Sequence, residues 1–360
     1  MGLTPDFWKG RRVVVTGHTG FKGGWLTLWL RQLGAEVTGF ALEPPTDPNL
    51  FEAAKVEQGI RSTIGDIRNF EAFSSALRQA APEIVFHLAA QPLVLYSYED
   101  PIGTYAANVM GTVNLLAALR DIPTCRSALI ITTDKCYENR EWHYPYRETD
   151  ALGGYDPYSS SKACAELAVQ AFRRSYFSSG TRAMCIGTAR AGNVIGGGDW
   201  AKDRLMVDAV IALAAGREVL VRNPAAERPW QHVLEPVFGY LKWAEMSFSG
   251  DPLFASEWNF GPPPSSVITV ASLMDRVCKL WGGDAKWRGA PTPQAHEAGL
   301  LRLDSSKAER GLGWRGRLSI DEALEWSIAW YRAFYRGHDM RETSLSQITA
   351  YDRVLAAAPR

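Results

Sequence analysis

Short apolar runs alternate along this chain with longer segments in which apolar residues recur every three or four positions. A short run rich in Val, Ile and Phe predicts a strand, and the longer spacing predicts an amphipathic helix. The runs that predict the first strands are RRVVVTG, AEVTGFAL, PEIVFHLAA and RSALIITTD. These runs lack polar alternation, as expected where helices cover both faces of a parallel sheet. We therefore predict an α/β fold with a Rossmann-type, doubly wound parallel sheet.

The texture of the sequence changes after a sixth predicted strand within TRAMCIGTARAGNVIG. From about Gly196 onward, loops rich in Gly, Pro and Trp separate shorter helices. This change predicts a smaller C-terminal substrate domain that is interleaved with the sheet. The predicted division is 1–190 and 228–262 for dinucleotide binding, and 191–227 and 263–360 mainly for substrate binding.

Composition narrows the class of protein. The 360 residues carry 39 Lys and Arg against 39 Asp and Glu, which favours neither nucleic acid nor an anionic membrane as main partner. Five cysteines without CxxC spacing favour a reducing cytoplasm, and no pair of histidines has metal-ligand spacing. The first residues lack the apolar core of a signal peptide, and we expect no apolar run of the roughly 18 residues that a membrane helix requires.

A glycine-rich loop follows the first predicted strand. In VVVTGHTGFKGGWLTLWL, the residues Gly17, Gly20 and Gly23 form a GxxGxxG pattern at the start of the first long helix. Such a turn lets backbone amides and the helix dipole face a pyrophosphate. The alternative is a strand-to-helix turn without a ligand. His18 and Lys22 could add phosphate contacts, although Lys22 could equally be a solvated charge.

Two acidic residues follow the next strands. Glu43 could bind an adenosine ribose, and the absence of a nearby Arg for a 2′-phosphate favours NAD over NADP. Glu43 could also be a turn residue before Pro44. Asp66 is placed either to receive the adenine amino group or to cap the next helix.

Polar residues also cluster where the fifth strand is predicted to end. Thr133, Asp134 and Lys135 follow LIIT, and ligands of open parallel sheets bind at the carboxyl ends of the strands. Tyr158 and Lys162 have the i,i+4 spacing that places two side chains on one helix face. A Lys ammonium beside a Tyr hydroxyl favours the phenolate and makes it usable as a base. A packed ring and a solvated charge are the alternative for this pair.

Together these residues resemble the extended short-chain dehydrogenase/reductases. The resemblance spans nearly the whole chain and is continued by GNVIG, RPWQHV and WNFGP. It implies a Rossmann NAD(P) domain, a nucleotide-sugar substrate, and a homodimer formed through a four-helix interface by the helices at 105–121 and 158–176. The cofactor-binding residues implied are Gly17, His18, Gly20, Phe21, Lys22, Gly23, Glu43, Asp66, Ile67, Leu88, Ala89, Ala90, Gln91, Tyr158 and Lys162.

The doublet Asp134-Lys135 indicates which members of this family the chain resembles most. Family members that eliminate water need an acid for the C6 hydroxyl and a base for the C5 proton, and dTDP-glucose dehydratases commonly carry Asp-Glu there. The Asp-Lys pair resembles the branch that dehydrates CDP-glucose for deoxysugar and surface-polysaccharide synthesis. The implied catalytic roles are C4 deprotonation by Tyr158, orientation by Thr133, support by Lys162, and protonation of the C6 hydroxyl by Asp134, with NAD carrying the hydride.

The role of Lys135 stays open at this point. A regular strand would turn Asp134 and Lys135 to opposite sides, so we predict a bend. Lys135 serves as the C5 base only if burial or positive charge lowers its pKa. It could instead polarise the enolate oxygen or pair with Asp134 in an exposed salt bridge.

Substrate-side candidates come from the later loops. Asn193 and Arg228 match positions that bind the diphosphate in the resembled family, and Arg204 is a weaker candidate. A turn residue and a surface salt bridge are the respective alternatives. His232 and His296 could touch the ligand. At most one of three tryptophans is expected to stack on the cytosine: Trp200, Trp230 and Trp258.

Two rival functions remain at this stage. A nucleotide-sugar 4-epimerase would have no use for Asp134 and Lys135, because reversible C4 oxidation eliminates nothing. A dehydratase acting on another nucleotide would keep the same chemistry. A non-catalytic NAD sensor on the same fold would have no need of Thr133, Tyr158 and Lys162 together.

Overall fold

The computed structural model describes residues 2–177, 184–290 and 300–357. Its main sheet has seven parallel strands in the order β11-β6-β5-β4-β1-β2-β3, with helices on both faces. The predicted doubly wound sheet is therefore confirmed. The strands are β1 Arg12–Thr16, β2 Glu36–Ala41, β3 Arg61–Ile64, β4 Ile84–His87, β5 Ser127–Ile131, β6 Cys185–Arg190, β7 Val194–Ile195, β8 Val219–Val221, β9 Glu227–Pro229, β10 Gln231–His232, β11 Glu257–Asn259, β12 Val267–Thr269 and β13 Trp287–Gly289.

Fourteen α-helices in the described ranges surround and extend this sheet. They are α1 Pro5–Trp8, α2 Phe21–Gln32, α3 Leu50–Ala53, α4 Phe70–Ala80, α5 Val94–Glu99, α6 Pro101–Tyr105, α7 Gly111–Leu119, α8 Pro157–Phe172, α9 Leu205–Ala214, α10 Leu234–Ser247, α11 Val270–Trp281, α12 Ser306–Leu312, α13 Ile320–Tyr335 and α14 Met340–Ala357. A π-helical turn, Ala106–Met110, joins α6 to α7.

The order of the strands fixes where a ligand can bind. The chain moves outward from β1 to β3, then returns across β1 to β4 and continues to β6. In such sheets the crevice lies beyond the carboxyl ends of β1 and β4, where the strand order reverses. The strands beside this crevice are buried because α2 and α10 cover one face and α4, α7 and α8 the other.

The later part of the chain returns to the sheet. β11 pairs in parallel with β6, and α10 packs against α2 and β5. Among the described residues, three two-stranded pairs lie outside the main sheet: β7 with β10, β8 with β13 and β9 with β12. The division at 190, 227 and 262 stays a prediction, since one hydrophobic core runs continuously from β1 to α14.

From the sequence we expected no apolar run long enough to form a membrane helix, but the segment Pro101–Leu119 is such a run. Its 19 residues have a hydropathy of 1.3, enough by length and composition to cross a membrane, although 44% of the window is buried inside the protein. Thr104, Asn108 and Leu115 on it face the protein interior. We interpret it as a core helix on which Ile102 and Met110 are exposed.

Glu235, at the start of α10, joins the C-terminal helix to the core. One carboxylate oxygen accepts the backbone N–H groups of Arg317 and Leu318, at 2.8 and 2.6 Å. The other accepts the hydroxyl of Tyr351 on α14 at 2.6 Å. Burial is the main cause that raises the pKa of Glu235 from 4.5 to about 7.

This raised pKa predicts a stability that depends on pH. Folding favours the neutral carboxyl. The contribution of Glu235 to the free energy of unfolding is therefore greatest below the unfolded pKa of 4.5, and it is lost as the pH rises towards 7. The loss amounts to about 3 kcal/mol, because each pKa unit corresponds to about 1.4 kcal/mol. Glu235→Gln can keep the hydrogen bonds without titrating. Its melting temperature relative to wild type should therefore increase between pH 5 and 8.

The exposed Glu325 on α13 supplies the control. Glu325→Gln should follow wild type across the same pH range in thermal unfolding. Equal pH dependence in wild type and Glu235→Gln would contradict the assignment to Glu235.

Candidate active site

The glycine loop lies at the crevice and has no room for side chains at two positions. Gly17 has a φ of 74°, and a Cβ there would lie 2.7 Å from the amide nitrogen of Ala89. A Cβ on Gly23 would lie 2.0 Å from the carbonyl oxygen of Gly17. Gly20 is the N-terminal residue flanking α2, so the first amides of this helix face outward at the end of β1. This cradle fits the pyrophosphate of a dinucleotide.

The two polar side chains inside the loop differ from each other. His18 is buried, its Nε2 is 2.8 Å from the Ser62 hydroxyl, and burial lowers its pKa to about 4. It is therefore neutral near pH 7 and adds no charge for a phosphate, and its contact with a phosphate stays a prediction. Lys22 is only partly exposed, and burial lowers its pKa to about 8. The charge of Arg204 also lowers this pKa, and the charge of Asp134 raises it. Lys22 therefore belongs to the site rather than to a solvated surface.

The acidic residues after β2 and β3 have contrasting surroundings. Glu43 is exposed two residues beyond β2. Asp66 accepts hydrogen bonds from the backbone and the guanidinium of Arg68, which lower its pKa. The cap of α4 is Asn69, whose side chain accepts the amide of Ala72, so the helix-cap interpretation of Asp66 is wrong. Contacts of Glu43 and Asp66 with an adenosine remain predictions.

The segment after β4 is fixed by residues from two other elements. The Thr16 hydroxyl accepts the amides of Leu88 and Ala89, each at 3.1 Å. Further along, Asn108 accepts the amide of Gln91 at 2.8 Å and donates to the Ser161 hydroxyl at 2.9 Å. Asn108 lies in the π-helical turn, so one residue ties the β4 loop to α8.

Sequence reasoning missed Asn108. Its signal was a polar residue inside the apolar helical run YAANVMGT, at a position that the structure buries. A buried amide requires partners, and here these partners flank the cofactor crevice.

The predicted bend after β5 is confirmed. The strand ends at Ile131, and Asp134–Cys136 form one turn of 3₁₀ helix for which Thr133 is the cap. The Thr133 hydroxyl donates to Asp134 Oδ1 at 3.1 Å and accepts the amide of Lys135 at 3.3 Å. Asp134 is 4% exposed, whereas Lys135 is exposed. The turn thus separates a buried carboxyl from a solvated ammonium.

Burial sets the protonation of Asp134. It raises the pKa of this carboxyl despite the opposing effects of Lys135, Thr133 and Lys22. The wall beside it includes Gly192, where a Cβ would lie 2.5 Å from Asp134 Oδ2. A raised pKa widens the pH range in which the carboxyl carries a proton that it can donate.

Tyr158 and Lys162 lie on α8 and face the same crevice. Burial raises the pKa of Tyr158 to about 12, although a hydrogen bond with Thr133 and the charge of Arg204 act in the opposite direction. Burial and the charge of Lys22 lower the pKa of Lys162 to about 8, and its Nζ donates to the Ile131 carbonyl at 3.1 Å. In the protein alone burial is the largest influence on the pKa of Tyr158, and support of the phenolate by Lys162 stays a prediction.

The substrate-side candidates separate into two groups. Asn193 and Arg228 are partly exposed, and Arg204 pairs with Asp199 at the start of α9 while acting electrostatically on Tyr158. His232 is fully buried, with its ring against Trp25 and Trp326, so in this conformation it cannot touch a substrate. This placement corrects the expectation for His232. His296 lies outside the described residues.

Arg302 is a further cation that sequence reasoning missed. It pairs with Glu227 at 2.9 Å on β9, next to Arg228. Its Nε is buried and has no hydrogen-bond partner among the described residues. No local motif in LLRLD pointed to it, because only the fold brings this segment beside β9.

The tryptophans are mostly structural. Trp200 packs in an aromatic cluster with Trp330 and Phe334, and Trp258 stacks on Phe254 beneath the Lys307 ammonium. Trp230 is also buried, and its indole nitrogen has no partner among the described residues. All three belong to one hydrophobic core, and the Trp200 indole nitrogen also has no partner among the described residues, so a base contact by one of them stays a prediction.

Comparisons with known proteins agree with this geometry. Residues 14–257 match the family described as GDP-mannose 4,6 dehydratase, and the chain belongs to this family of extended short-chain dehydrogenase/reductases. It is 48% identical to the CDP-glucose 4,6-dehydratase of Salmonella typhimurium over 352 residues, which cover 97% of this chain and 98% of that relative.

More distant relatives show how far the fold extends. A dTDP-glucose 4,6-dehydratase of Mycolicibacterium smegmatis is 29% identical over 329 residues, which cover 89% of this chain and 93% of that protein. The crystal structure of a dTDP-glucose 4,6-dehydratase from Bacillus anthracis, at 19% identity, has a TM-score of 0.75 and covers 91% of this chain and 99% of its own. The last comparison shows the shared fold.

Proposed function

We propose that the protein is a hydro-lyase, an NAD-dependent CDP-glucose 4,6-dehydratase that forms CDP-4-dehydro-6-deoxy-glucose. The observation that carries this proposal is the buried carboxyl of Asp134, whose pKa is raised by burial, beside Thr133 and Tyr158. An epimerase returns the hydride to C4 and has no use for such an acid. The choice of the cytidine nucleotide rests on the 48% identity to the Salmonella enzyme.

The glycine cradle and the β4 loop fit a dinucleotide. Gly17, Gly20 and Gly23 leave space for the pyrophosphate. In this proposal Glu43 and Asp66 would bind the adenosine, and Lys162 would bind the nicotinamide ribose. NAD supplies an acceptor for the C4 hydride and later a donor of hydride to C6. The positive charge of a bound nicotinamide ring near Tyr158 would lower the pKa of the phenol. The phenol would then be a better base with the cofactor bound than without it.

The chain's own residues move the protons. Tyr158 accepts the proton of the C4 hydroxyl, and Thr133 orients that hydroxyl. The resulting ketone acidifies C5, a base removes the C5 proton, Asp134 gives its own proton to the departing C6 hydroxyl, and water leaves. After reduction at C6 a proton returns to C5, so the net change is the loss of one water.

Lys135 lies one residue from this acid. It is exposed in the protein alone, so a bound sugar must cover it before burial can prepare it as the base for the C5 proton. Its charge can polarise the enolate oxygen without that step. On the other side of the substrate, Arg228, Arg204 and Asn193 would bind the diphosphate.

The same proposal includes the assembly and location of the protein. Exposed apolar side chains on the helices around 101–119 and 157–177 support a homodimer through a four-helix interface, and they include Ile102, Tyr105, Met110, Leu167 and Tyr176. We place the protein in the cytoplasm, with five thiols that are not joined in disulfides within the chain.

The substrate assignment is tested by incubation with NAD and each of five sugars: CDP-, dTDP-, UDP- and GDP-glucose and GDP-mannose. Only CDP-glucose should lose water to give a 4-keto-6-deoxy sugar, detected by mass and by alkaline absorbance. Turnover of another nucleotide would preserve the chemistry and overturn the base specificity. Conversion to the C4 epimer without loss of water would overturn the assigned reaction.

A further inference from the structure

A buried ion pair lies directly behind the turn that carries Asp134. Glu166 and Arg190 are both fully buried, and the Arg190 guanidinium donates to both carboxylate oxygens at 3.0 and 2.9 Å. Two threonines complete the carboxylate: Thr132 donates at 2.5 Å and Thr188 at 2.7 Å. Burial of two charges requires this degree of pairing.

The other side of the same guanidinium reaches the far end of the turn. Arg190 Nη1 donates to the Tyr137 hydroxyl at 2.7 Å, and that hydroxyl donates to Asn259 Oδ1 at 2.8 Å. Tyr137 is 1% exposed, and its ring stacks on Tyr146 with centroids 5.1 Å apart. The Tyr137 amide also donates to the Asp134 carbonyl at 3.3 Å.

Thr132 and Tyr137 therefore bracket the Asp134 turn, one residue before its cap and one after its end. Each is hydrogen-bonded to a different partner of one ion pair. Glu166 is four residues beyond Lys162 and eight beyond Tyr158 on α8, so it belongs to the helix face that carries the oxidation residues. The Glu166–Arg190 pair thus connects the Asp134 turn to α8, which carries Tyr158. The connection runs through buried side chains that are hydrogen-bonded to one another.

We infer that Thr132 and Tyr137 are positioning residues, which hold Asp134 at its distance from the C6 hydroxyl through the Glu166–Arg190 pair. This inference rests on the proposed function. In the mechanism Asp134 acts only in water loss, whereas Thr133 at the start of the same turn also orients the C4 hydroxyl, so a loosened turn should slow water loss more than C4 oxidation. Small displacements of a proton donor are costly, because proton transfer requires a hydrogen-bonded contact.

The test uses variants that remove one hydroxyl and leave both charges in place. Thr132→Val and Tyr137→Phe each disconnect one end of the turn. Reactions with CDP-glucose and NAD are quenched and analysed by mass for the 4-keto sugar that still carries its C6 hydroxyl. Both variants should accumulate this intermediate, with water loss slowed roughly 10- to 100-fold. The KM for CDP-glucose should change little while kcat falls.

Thr188→Val is the matched control. It removes a buried hydroxyl from the same Glu166 carboxylate, but Thr188 lies on β6 and does not flank the turn. It should lose comparable thermal stability and keep the wild-type ratio of intermediate to product. A shared loss of stability without accumulation in Thr132→Val and Tyr137→Phe would overturn the inference, as would equal accumulation in Thr188→Val. Absence of product from wild type would overturn the proposed function and the inference together.

Discussion

Tyr158→Phe should lose C4 oxidation of CDP-glucose by roughly 10²- to 10⁴-fold, the usual contribution of a positioned general base. The phenol is the group on α8 that is proposed to accept the C4 hydroxyl proton, and it is buried beside Thr133 at the strand end. Phenylalanine keeps the packing of the ring and removes only the proton acceptor. The measurement is single-turnover formation of the 4-keto sugar, quantified after an acid quench.

Tyr105→Phe is the control for this variant. The Tyr105 hydroxyl donates to Ser160 on the same helix at 2.9 Å, but it is part of an exposed residue on α6. Its loss should leave the oxidation rate near that of wild type. Wild-type oxidation by Tyr158→Phe would show that another group accepts the proton.

Asp134→Asn should separate the two halves of the reaction. Asparagine keeps the size of the side chain and the acceptor for the Thr133 hydroxyl, but it has no acidic proton. C4 oxidation should continue, while water loss falls by roughly 10²- to 10⁴-fold. The variant should therefore accumulate the 4-keto sugar with its C6 hydroxyl, which mass spectrometry of quenched reactions detects.

The dependence on pH gives a second signature of the same acid. Burial raises the pKa of Asp134. The rate of water loss by the wild type should therefore fall as the pH rises through the pKa of this carboxyl. Asp134→Asn should lack this limb. Glu138→Gln, which changes an exposed carboxylate just beyond the turn, should retain it. An unchanged ratio of intermediate to product in Asp134→Asn would assign the acid elsewhere.

Local patterns were sufficient for the sheet and for the residues at strand ends. Gly17 and Gly23 could be placed because a tight turn needs glycine wherever it occurs, and the bend at Asp134 followed from the alternation of side chains in a strand. These are properties of neighbouring residues, and they survive without knowledge of the rest of the chain.

Burial and distant pairing could not be read in the same way. His232 was expected at the ligand but packs between Trp25 and Trp326, which belong to elements far apart in sequence. The high pKa of Tyr158 depends on desolvation by the whole site rather than on its neighbour four residues away. Arg302 reaches β9 only through the return of the C-terminal region.

Gly192 has a consequence for how this chemistry can evolve. Its missing side chain leaves room for the Asp134 carboxylate, because a Cβ there would lie 2.5 Å from Oδ2. Selection at this position acts on shape alone. A methyl group added at Gly192 would collide with the Asp134 carboxylate. Such a substitution would affect the acid although Gly192 itself has no reactive side chain.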